Sequence, residues 1–256
     1  MYDPWVELNY EHTNLIDVGE GPHEIVFLHG WCCRTGDFAK QVHALSDNCR
    51  VVAIDWQRRI QEAGDACSAE AASELIASVV QERGLKRPIL VGHSMGAFLT
   101  TCLAKWKMVP YVGLIPVDTA LPRPDFVRDR YIELCAKLRK GPYEPICREF
   151  VTKTFFKPEE LGKESDSIIK GLVSARHDIA IGLLEQLSEA DAGPSLSTID
   201  KPMHVVDSGV GVYDLEGLHE FVPHATGEQL EGTGHFITIY HADRVTSIIR
   251  SFIDAL

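Results

Sequence analysis

The sequence lacks several features that would assign it to other classes of protein. No apolar run approaches the roughly 20 residues that a membrane-spanning helix needs, and there is no repeated or low-complexity segment. Basic residues are few: 25 lysines and arginines stand against 37 aspartates and glutamates, for a net charge of −12. Because nucleic acids and anionic membranes attract basic patches, neither is an expected partner.

The cysteines also lack any pattern typical of a metal site or a disulfide framework. Their number is odd and no CxxC pair occurs, which predicts free thiols in a reducing compartment. Residues 1–5 carry neither the basic nor the apolar region of a signal peptide, so the expected location is the cytoplasm. The seven cysteines are Cys32, Cys33, Cys49, Cys67, Cys102, Cys135 and Cys147.

What is present is an alternation of strand and helix patterns in a chain of 256 residues. This alternation predicts an α/β fold with a mostly parallel central sheet flanked by helices. Between residues 121 and 195, apolar residues recur at helical spacing without strand patterns. We therefore predict a core formed by residues 1–120 and 196–256, with a helical cap, residues 121–195, inserted after the strand that ends near Val117.

The most informative motif is GHSMG at residues 92–96, a G-x-S-x-G pattern. An apolar strand pattern precedes it and a helix pattern follows, so Ser94 is expected in a tight strand-to-helix turn. The glycines leave room for a crowded, strained backbone. Such a turn holds the hydroxyl at the carboxyl edge of the sheet, beside a helix N-terminus that favours negative charge. Ser94 is the predicted nucleophile.

A serine hydroxyl needs a base within hydrogen-bond reach. Of the eleven histidines, His235 lies in GTGHF at residues 232–236, between a short strand pattern and the last helix pattern. The glycines suit a loop that carries an imidazole across the edge of the sheet. His235 is therefore the predicted base, whereas His93, next to the nucleophile, is predicted to be structural.

The acid that orients the histidine has two candidates. Asp118 directly follows the apolar strand pattern at residues 112–117, and Asp207 follows the pattern at residues 203–206. Each would stand at the tip of a strand near the serine. We prefer Asp118 and keep Asp207 as the alternative acid.

An oxyanion needs donors that already point at it. The backbone N–H groups of Met95, which follows the nucleophile, and of Trp31, in HGW at residues 29–31, are the predicted oxyanion hole. No metal-ligand cluster and no phosphate-binding glycine loop is found, so no metal or cofactor is expected. The predicted substrate pocket contains Gly30, Cys32, Phe126 and Phe236.

In this order, HGW at 29–31, GHSMG at 92–96 and GHF at 234–236 resemble the α/β-hydrolase superfamily nearly end to end. The resemblance implies a serine hydrolase that cleaves an ester, thioester or lactone of a small hydrophobic or aromatic substrate. A Ser-His-Asp triad and an acyl-enzyme would carry this reaction. The same frame also serves lyases and non-catalytic ligand-binding homologues, which are further alternatives. A monomer or a homodimer is expected.

A narrower resemblance concerns the cofactor-independent 3-hydroxy-4-quinolone 2,4-dioxygenases. GWC at 30–32, Asp118 at its strand end and PRPDF at 122–126 look like pieces of that family. In that family the catalytic acid follows the strand that corresponds to residues 112–117. The resemblance therefore favours Asp118 as the acid. The resemblance implies an alternative function in which His235, with Asp118, deprotonates a hydroxylated heteroaromatic substrate and the carbanion reacts with O₂.

Overall fold

The computed structural model describes residues 13–64, 68–189 and 193–256. Cys67 lies outside the described residues. The other six cysteines are free thiols.

In the described ranges, seven strands form one sheet: β1 (Leu15–Val18), β2 (His23–Leu28), β3 (Cys49–Ile54), β4 (Pro88–His93), β5 (Gly113–Val117), β6 (His204–Ser208) and β7 (Thr226–Leu230). Their order across the sheet is β1-β3-β2-β4-β5-β6-β7. Only β1 runs antiparallel to its neighbour, and the other described pairs are parallel. The predicted mostly parallel sheet is therefore confirmed.

The central strands are apolar because both of their faces are covered. In β2, Ile25 and Phe27 belong to one hydrophobic cluster, and Val26 and Leu28 belong to the other. All four side chains are fully buried. This is the burial expected of a parallel sheet with helices on both faces.

Helices supply the two outer layers. They are α1 (Ala39–Ser46), α2 (Trp56–Ala63), α3 (Ala69–Glu82), α4 (Met95–Lys105), α5 (Asp125–Lys140), α6 (Tyr143–Phe155), α7 (Lys163–Val173), α8 (His177–Glu189), α9 (Leu215–His219), α10 (Ile237–Tyr240) and α11 (Ala242–Asp254). Short 3₁₀ turns occupy Thr35–Phe38, Pro158–Glu160 and Pro194–Thr198. Within the described ranges, no helix has both the length and the apolar character needed to cross a membrane.

Local sequence explains how these helices begin and which face they bury. Ser68 precedes α3, and its hydroxyl accepts a hydrogen bond from the backbone N–H of Ala71 at 3.1 Å. This N-cap satisfies one of the donors that the first turn leaves unpaired. Ile76, Val79 and Val80 of the same helix are buried against the sheet.

Four helices, α5 to α8, come between β5 and β6 in the chain, where the sequence predicted a helical block. Helix α5 packs against α8, and α6 packs against α7. The core strands β2, β4, β5 and β6 are parallel neighbours, so their carboxyl ends meet at one edge of the sheet. Open α/β sheets bind ligands at this edge.

Candidate active site

Ser94 lies in a strained turn between β4 and α4. Its backbone has φ 54° and ψ −115°, a positive φ that only a constrained turn imposes on a serine. A Cβ on Gly92 would lie 2.3 Å from the carbonyl oxygen of Gly96, and one on Gly96 would lie 2.0 Å from that of Leu28. Both positions therefore require glycine, and the strand–turn–helix context gives the G-x-S-x-G motif its structural meaning.

His235 is held by contacts to its backbone and to its ring. Its backbone N–H donates to the carbonyl oxygen of Phe155 at 2.7 Å, and its own carbonyl accepts from Nε2 of His93 at 3.0 Å. The imidazole stacks on the ring of Phe155, with centroids 4.3 Å apart. The Nδ1 atom of the ring is hydrogen bonded to Oδ2 of Asp118.

This arrangement fixes which nitrogen of His235 is available for proton transfer. Because Asp118 accepts at Nδ1, we assign the proton to Nδ1, and Nε2 then carries the lone pair. Burial lowers the pKa of His235 to about 4, so the imidazole is neutral at neutral pH. A neutral imidazole with a free Nε2 can accept a proton from a serine hydroxyl.

The structure places Asp118, and not Asp207, on the histidine. Asp118 follows β5 with φ 50°, and its backbone N–H donates to Val206 at 2.7 Å. One carboxyl oxygen accepts from the N–H of Ser208 at 2.9 Å, and the other faces His235. Asp207 lies beside Asp118 on the next strand, and the backbone N–H of Ser208 lies within hydrogen-bond distance of both carboxyl groups.

The loop that carries His235 is tied to the helical block. Oε1 of Glu160 accepts from the N–H of Gly234 at 2.9 Å, and Oε2 accepts from the N–H of Lys157 at 2.9 Å. Sequence reasoning missed Glu160. The only signal was its place in the turn Lys157-Pro158-Glu159-Glu160, where a carboxylate three residues after an amide can cap it.

The predicted oxyanion donors lie beside the Ser94 turn. A Cβ on Gly30 would be 3.3 Å from Cβ of Ser94, so the backbone that leads into Trp31 runs against the serine. The indole of Trp31 donates to the carbonyl oxygen of Ala180 at 2.8 Å and thereby anchors this loop to α8. Met95 begins α4, directly after the serine.

A cavity of about 190 Å³ contains Ser94, Asp118 and His235 among its lining residues. Helices α5, α6 and α8 contribute Phe126, Tyr131, Phe150, Phe155 and Leu187, together with Arg123 from the preceding loop and Arg130. The predicted pocket residue Phe126 therefore lines the cavity.

The other predicted pocket residues do not line this cavity. The backbone N–H of Cys32 donates to Oε1 of Gln57 at 2.9 Å, and the sulfur of Cys32 accepts from Nε2 of Gln57 at 3.8 Å. Cys32 therefore faces α2. Phe236 is buried against Phe156, with ring centroids 5.0 Å apart, because it packs the histidine loop onto the helical block. Gly30 lies next to Ser94 and is not among the residues that line the cavity.

Metal-ligating atoms of His93, Asp118 and His235 lie within 4.8 Å of one another, the one such group found within the described ranges. Their hydrogen bonds already explain this closeness. Nδ1 of His235 is bonded to Asp118, and Nε2 of His93 donates to the carbonyl oxygen of His235. A metal would have to break these contacts, so the donor set does not fit a resident ion.

Cavity volume alone would not identify this site, because a larger groove lies elsewhere on the molecule. A groove of about 850 Å³ lies at the opposite edge of the sheet, lined by Lys86, Arg87 and Pro110 among others. It contains neither Ser94 nor His235. The arrangement of nucleophile, base and acid, rather than volume, identifies the candidate site.

Comparison with known proteins agrees with this architecture. A profile of the family described as "Alpha/beta hydrolase family" matches residues 25–247. The chain therefore belongs to the alpha/beta hydrolase family. It is similar to a pimeloyl-[acyl-carrier protein] methyl ester esterase of Xanthomonas campestris pv. campestris, with 24% identity over 93% of this chain and 98% of that protein. The corresponding protein of Yersinia pseudotuberculosis is 25% identical, over 91% of this chain and 94% of that protein.

Solved structures share the fold at lower sequence identity. A hydrolase from Oleispira antarctica superposes with a TM-score of 0.80 at 15% identity, covering 97% of both chains. An enol-lactonase from Burkholderia xenovorans superposes with a TM-score of 0.78 at 18% identity, covering 94% of this chain and 95% of that one. These likenesses establish the α/β-hydrolase fold of the chain.

Proposed function

We propose that the chain is a serine hydrolase that cleaves an ester, thioester or lactone through Ser94, His235 and Asp118. The observation that carries the proposal is the contact between Nδ1 of His235 and Asp118 at a cavity that Ser94 also lines. Similarity to proteins named as a methyl ester esterase and an enol-lactonase supports acyl substrates for this chain too.

In the acylation step, Oγ of Ser94 attacks the carbonyl carbon while Nε2 of His235 takes the hydroxyl proton. Asp118 holds the imidazole in the required tautomer and stabilises the imidazolium that forms. The N–H groups of Trp31 and Met95 receive the developing oxyanion. Each such donor typically contributes about 3 kcal/mol to transition-state stabilisation.

In the steps that follow, His235 returns the proton to the leaving oxygen or sulfur and the acyl-enzyme remains on Ser94. Water then attacks the acyl carbon, with His235 as the base, and the collapse of the second tetrahedral intermediate frees the acid and the serine. The proton balance closes without any group other than these side chains and water.

The cavity supports a small substrate with an apolar or aromatic part. Its volume of about 190 Å³ is below the range of roughly 300–1,000 Å³ typical of sites for drug-sized ligands. Phe126, Phe150 and Leu187 offer apolar surface to that substrate. Their origin in residues 121–195 also supports our division of the chain into a core and a cap.

The direct test is ester hydrolysis by Ser94→Ala. We expect kcat/KM across a series of short acyl esters and lactones to fall by about 10⁴-fold or more, since no acyl-enzyme can form. Ser78→Ala is the matched control, because this hydroxyl lies on the exposed face of α3 and donates within the helix to the carbonyl oxygen of Leu75 at 2.8 Å. An undiminished rate in Ser94→Ala would eliminate the mechanism.

The position of Asp118 supports one second candidate, the cofactor-independent dioxygenase chemistry. There His235 would deprotonate a 3-hydroxy-4-quinolone-like substrate, the carbanion would react with O₂, and carbon monoxide would leave. Ser94 would only hydrogen-bond the substrate, so Ser94→Ala would retain activity. Oxygen uptake with release of carbon monoxide would select this function, and their absence across hydroxyquinolones would remove it.

Three further expectations remain predictions: the cytoplasmic location, the monomeric or homodimeric state, and the absence of a cofactor. A lyase, or a non-catalytic homologue that binds a ligand, stays the further alternative. Labelling of Ser94 by an acyl ester in a single turnover, without repeated turnover, would favour the non-catalytic homologue.

A further inference from the structure

The carboxyl groups of Asp118 and Asp207 meet at the buried end of the sheet. The backbone N–H of Ser208 lies 2.9 Å from Oδ1 of Asp118 and 2.7 Å from Oδ1 of Asp207. Only 4% of Asp118 and 1% of Asp207 is exposed. Two buried carboxyl groups that share one donor repel strongly when both are ionised, so this pair holds one proton.

The partners of each group decide which one is protonated. Asp118 accepts from Ser208 and faces Nδ1 of His235. Oδ2 of Asp207 is buried and has no hydrogen-bond partner within the part of the chain that the structure describes. A buried negative charge costs most free energy where the fewest donors stabilise it, so the charge is more costly on Asp207 than on Asp118. If Asp207 is neutral, its unpartnered Oδ2 is only an uncharged carbonyl oxygen.

We propose that Asp207 is a neutral carboxylic acid that donates a hydrogen bond to Asp118 and so acts as a positioning residue for the triad. This inference rests on the proposed function of Ser94, His235 and Asp118. The donated proton stays on Asp207 throughout the reaction. Together with the N–H of Ser208 it orients the Asp118 carboxylate, whose other oxygen is left for His235.

The surroundings of Asp207 favour the neutral form. Burial and the neighbouring Asp118 raise the pKa of Asp207 to about 9, although the charge of His235 acts in the opposite direction. Tyr213 lies on the loop after β6, and burial, followed by the charge of Asp207, raises the pKa of Tyr213. Within the described residues, no lysine or arginine is among the groups that act on Asp207.

The loop after β6 closes tightly over the pair. A Cβ on Gly211 would lie 1.7 Å from Oδ1 of Asp207 and 2.5 Å from Oδ1 of Asp118. Glycine at this position lets the backbone cover both carboxyl groups. The cover keeps the pair away from water, which would otherwise allow both groups to ionise.

The consequence for catalysis concerns the ionisation of Asp118. Burial raises the pKa of Asp118, and a hydrogen bond from Asp207 and the N–H of Ser208 oppose this rise. Asp118 can then remain ionised while His235 carries the proton of Ser94. A neutral amide at position 207 would provide the same donor.

The experiment compares Asp207→Ala and Asp207→Asn with Asp118→Asn. We expect kcat/KM for ester hydrolysis to fall by about 5- to 10-fold in Asp207→Ala, which removes the donor to Asp118, and to be rescued to within about threefold of wild type in Asp207→Asn, which keeps a donor. That of Asp118→Asn should fall by about 10³-fold or more. The pH profile of the wild type should bend in the alkaline range where Asp207 ionises. This bend should be absent in Asp207→Asn, an effect that a merely structural role would not produce.

Infrared difference spectroscopy tests the proton itself and needs no turnover. The carbonyl stretch of a protonated carboxylic acid should be present in wild type and in Ser94→Ala, and lost in Asp207→Asn. Asp214→Asn is the matched control, because this carboxylate caps α9 by accepting from Gly217 at 2.8 Å. Its spectrum should retain the band.

Two results would overturn the inference: a protonated-acid band unchanged in Asp207→Asn, or a loss of activity in that variant as large as in Asp118→Asn. If Asp207→Asn does not fold, titration of the band in wild type decides, since its absence at neutral pH contradicts a neutral Asp207. If Ser94→Ala proves active, the proposed function fails, and the infrared result still decides the protonation of Asp207.

Discussion

His235 is the residue at which the sheet and the helical block meet. Its backbone donates to Phe155 of α6, its carbonyl accepts from His93 of β4, and its ring is bonded to Asp118 after β5. The glycines around it predicted a loop that brings an imidazole to the sheet edge. They could not predict Phe155, because that contact joins residues 80 positions apart in the chain.

The choice between Asp118 and Asp207 shows where residue patterns stop being informative. Both aspartates follow an apolar strand pattern, and the sequence favoured Asp118 but left Asp207 as an alternative. The register pairs Val117 with Val206, which sets the two aspartates side by side on neighbouring strands. The three-dimensional structure shows that Asp118 contacts Nδ1 of His235, whereas Asp207 lies next to Asp118.

At the scale of elements, the turn from β4 to α4 depends on close backbone packing. In Gly96→Ala, the new Cβ would lie 2.0 Å from the carbonyl oxygen of Leu28, so β2 and α4 must separate. We expect the variant to be destabilised by about 3 kcal/mol or more and to lose its ester hydrolysis. Thermal or urea unfolding monitored by circular dichroism measures the change.

Gly171→Ala is the control for that substitution. Gly171 lies in α7 with nothing within 4 Å of an added Cβ. Because alanine favours the helix over glycine, this variant should be more stable by about 0.5–1 kcal/mol. Equal stability of the two variants would contradict the crowding that we assign to the Ser94 turn.

Most elements follow from periodicity, and the exceptions have local causes. The strands and long helices match runs of apolar residues at spacings of two or of three to four. Helix α2 follows β3 directly, because the carboxylate of Asp55 accepts from the N–H of Arg58 at 3.0 Å and caps it. Before α1, the segment Thr35–Phe38 forms a 3₁₀ turn that leads directly into the helix.

At the scale of the whole molecule, the protonated Asp207 links folding to pH. In the unfolded chain a carboxyl group titrates near its ordinary value of 3.8, whereas burial and Asp118 raise the pKa of the folded group to about 9. Between these values the folded state binds one more proton than the unfolded state. The free energy of unfolding therefore falls as pH rises, by up to about 1.4 kcal/mol per pH unit.

Asp207→Asn removes this dependence, because an amide does not titrate. We expect the difference in Tm, variant minus wild type, to grow from pH 7 to pH 9, because only the wild type loses stability through ionisation of Asp207. Work above pH 7 avoids the buried histidines, since burial lowers the pKa of His93 and His235 and their linkage acts at lower pH. A Tm difference that stays constant over this range would contradict the linkage.

The overall fold is more predictable from the sequence than the side chains that line the cavity. The order of motifs implied the fold, and the family match over residues 25–247 agrees with it. Phe126 lines the cavity, but Cys32 and Phe236 do not. Side chains that flank a motif can face either the cavity or the packing behind it, and tertiary contacts such as Gln57 with Cys32 decide which.

The most direct test of the central claim is mass spectrometry of the intact, folded chain after reaction with a fluorophosphonate, followed by peptide mapping. The account predicts one adduct, on Ser94, that forms rapidly in wild type and is slowed by about 10³-fold or more in His235→Ala. An adduct on a different residue, or equally fast labelling of Ser94 in His235→Ala, would contradict the claim that these two side chains work together.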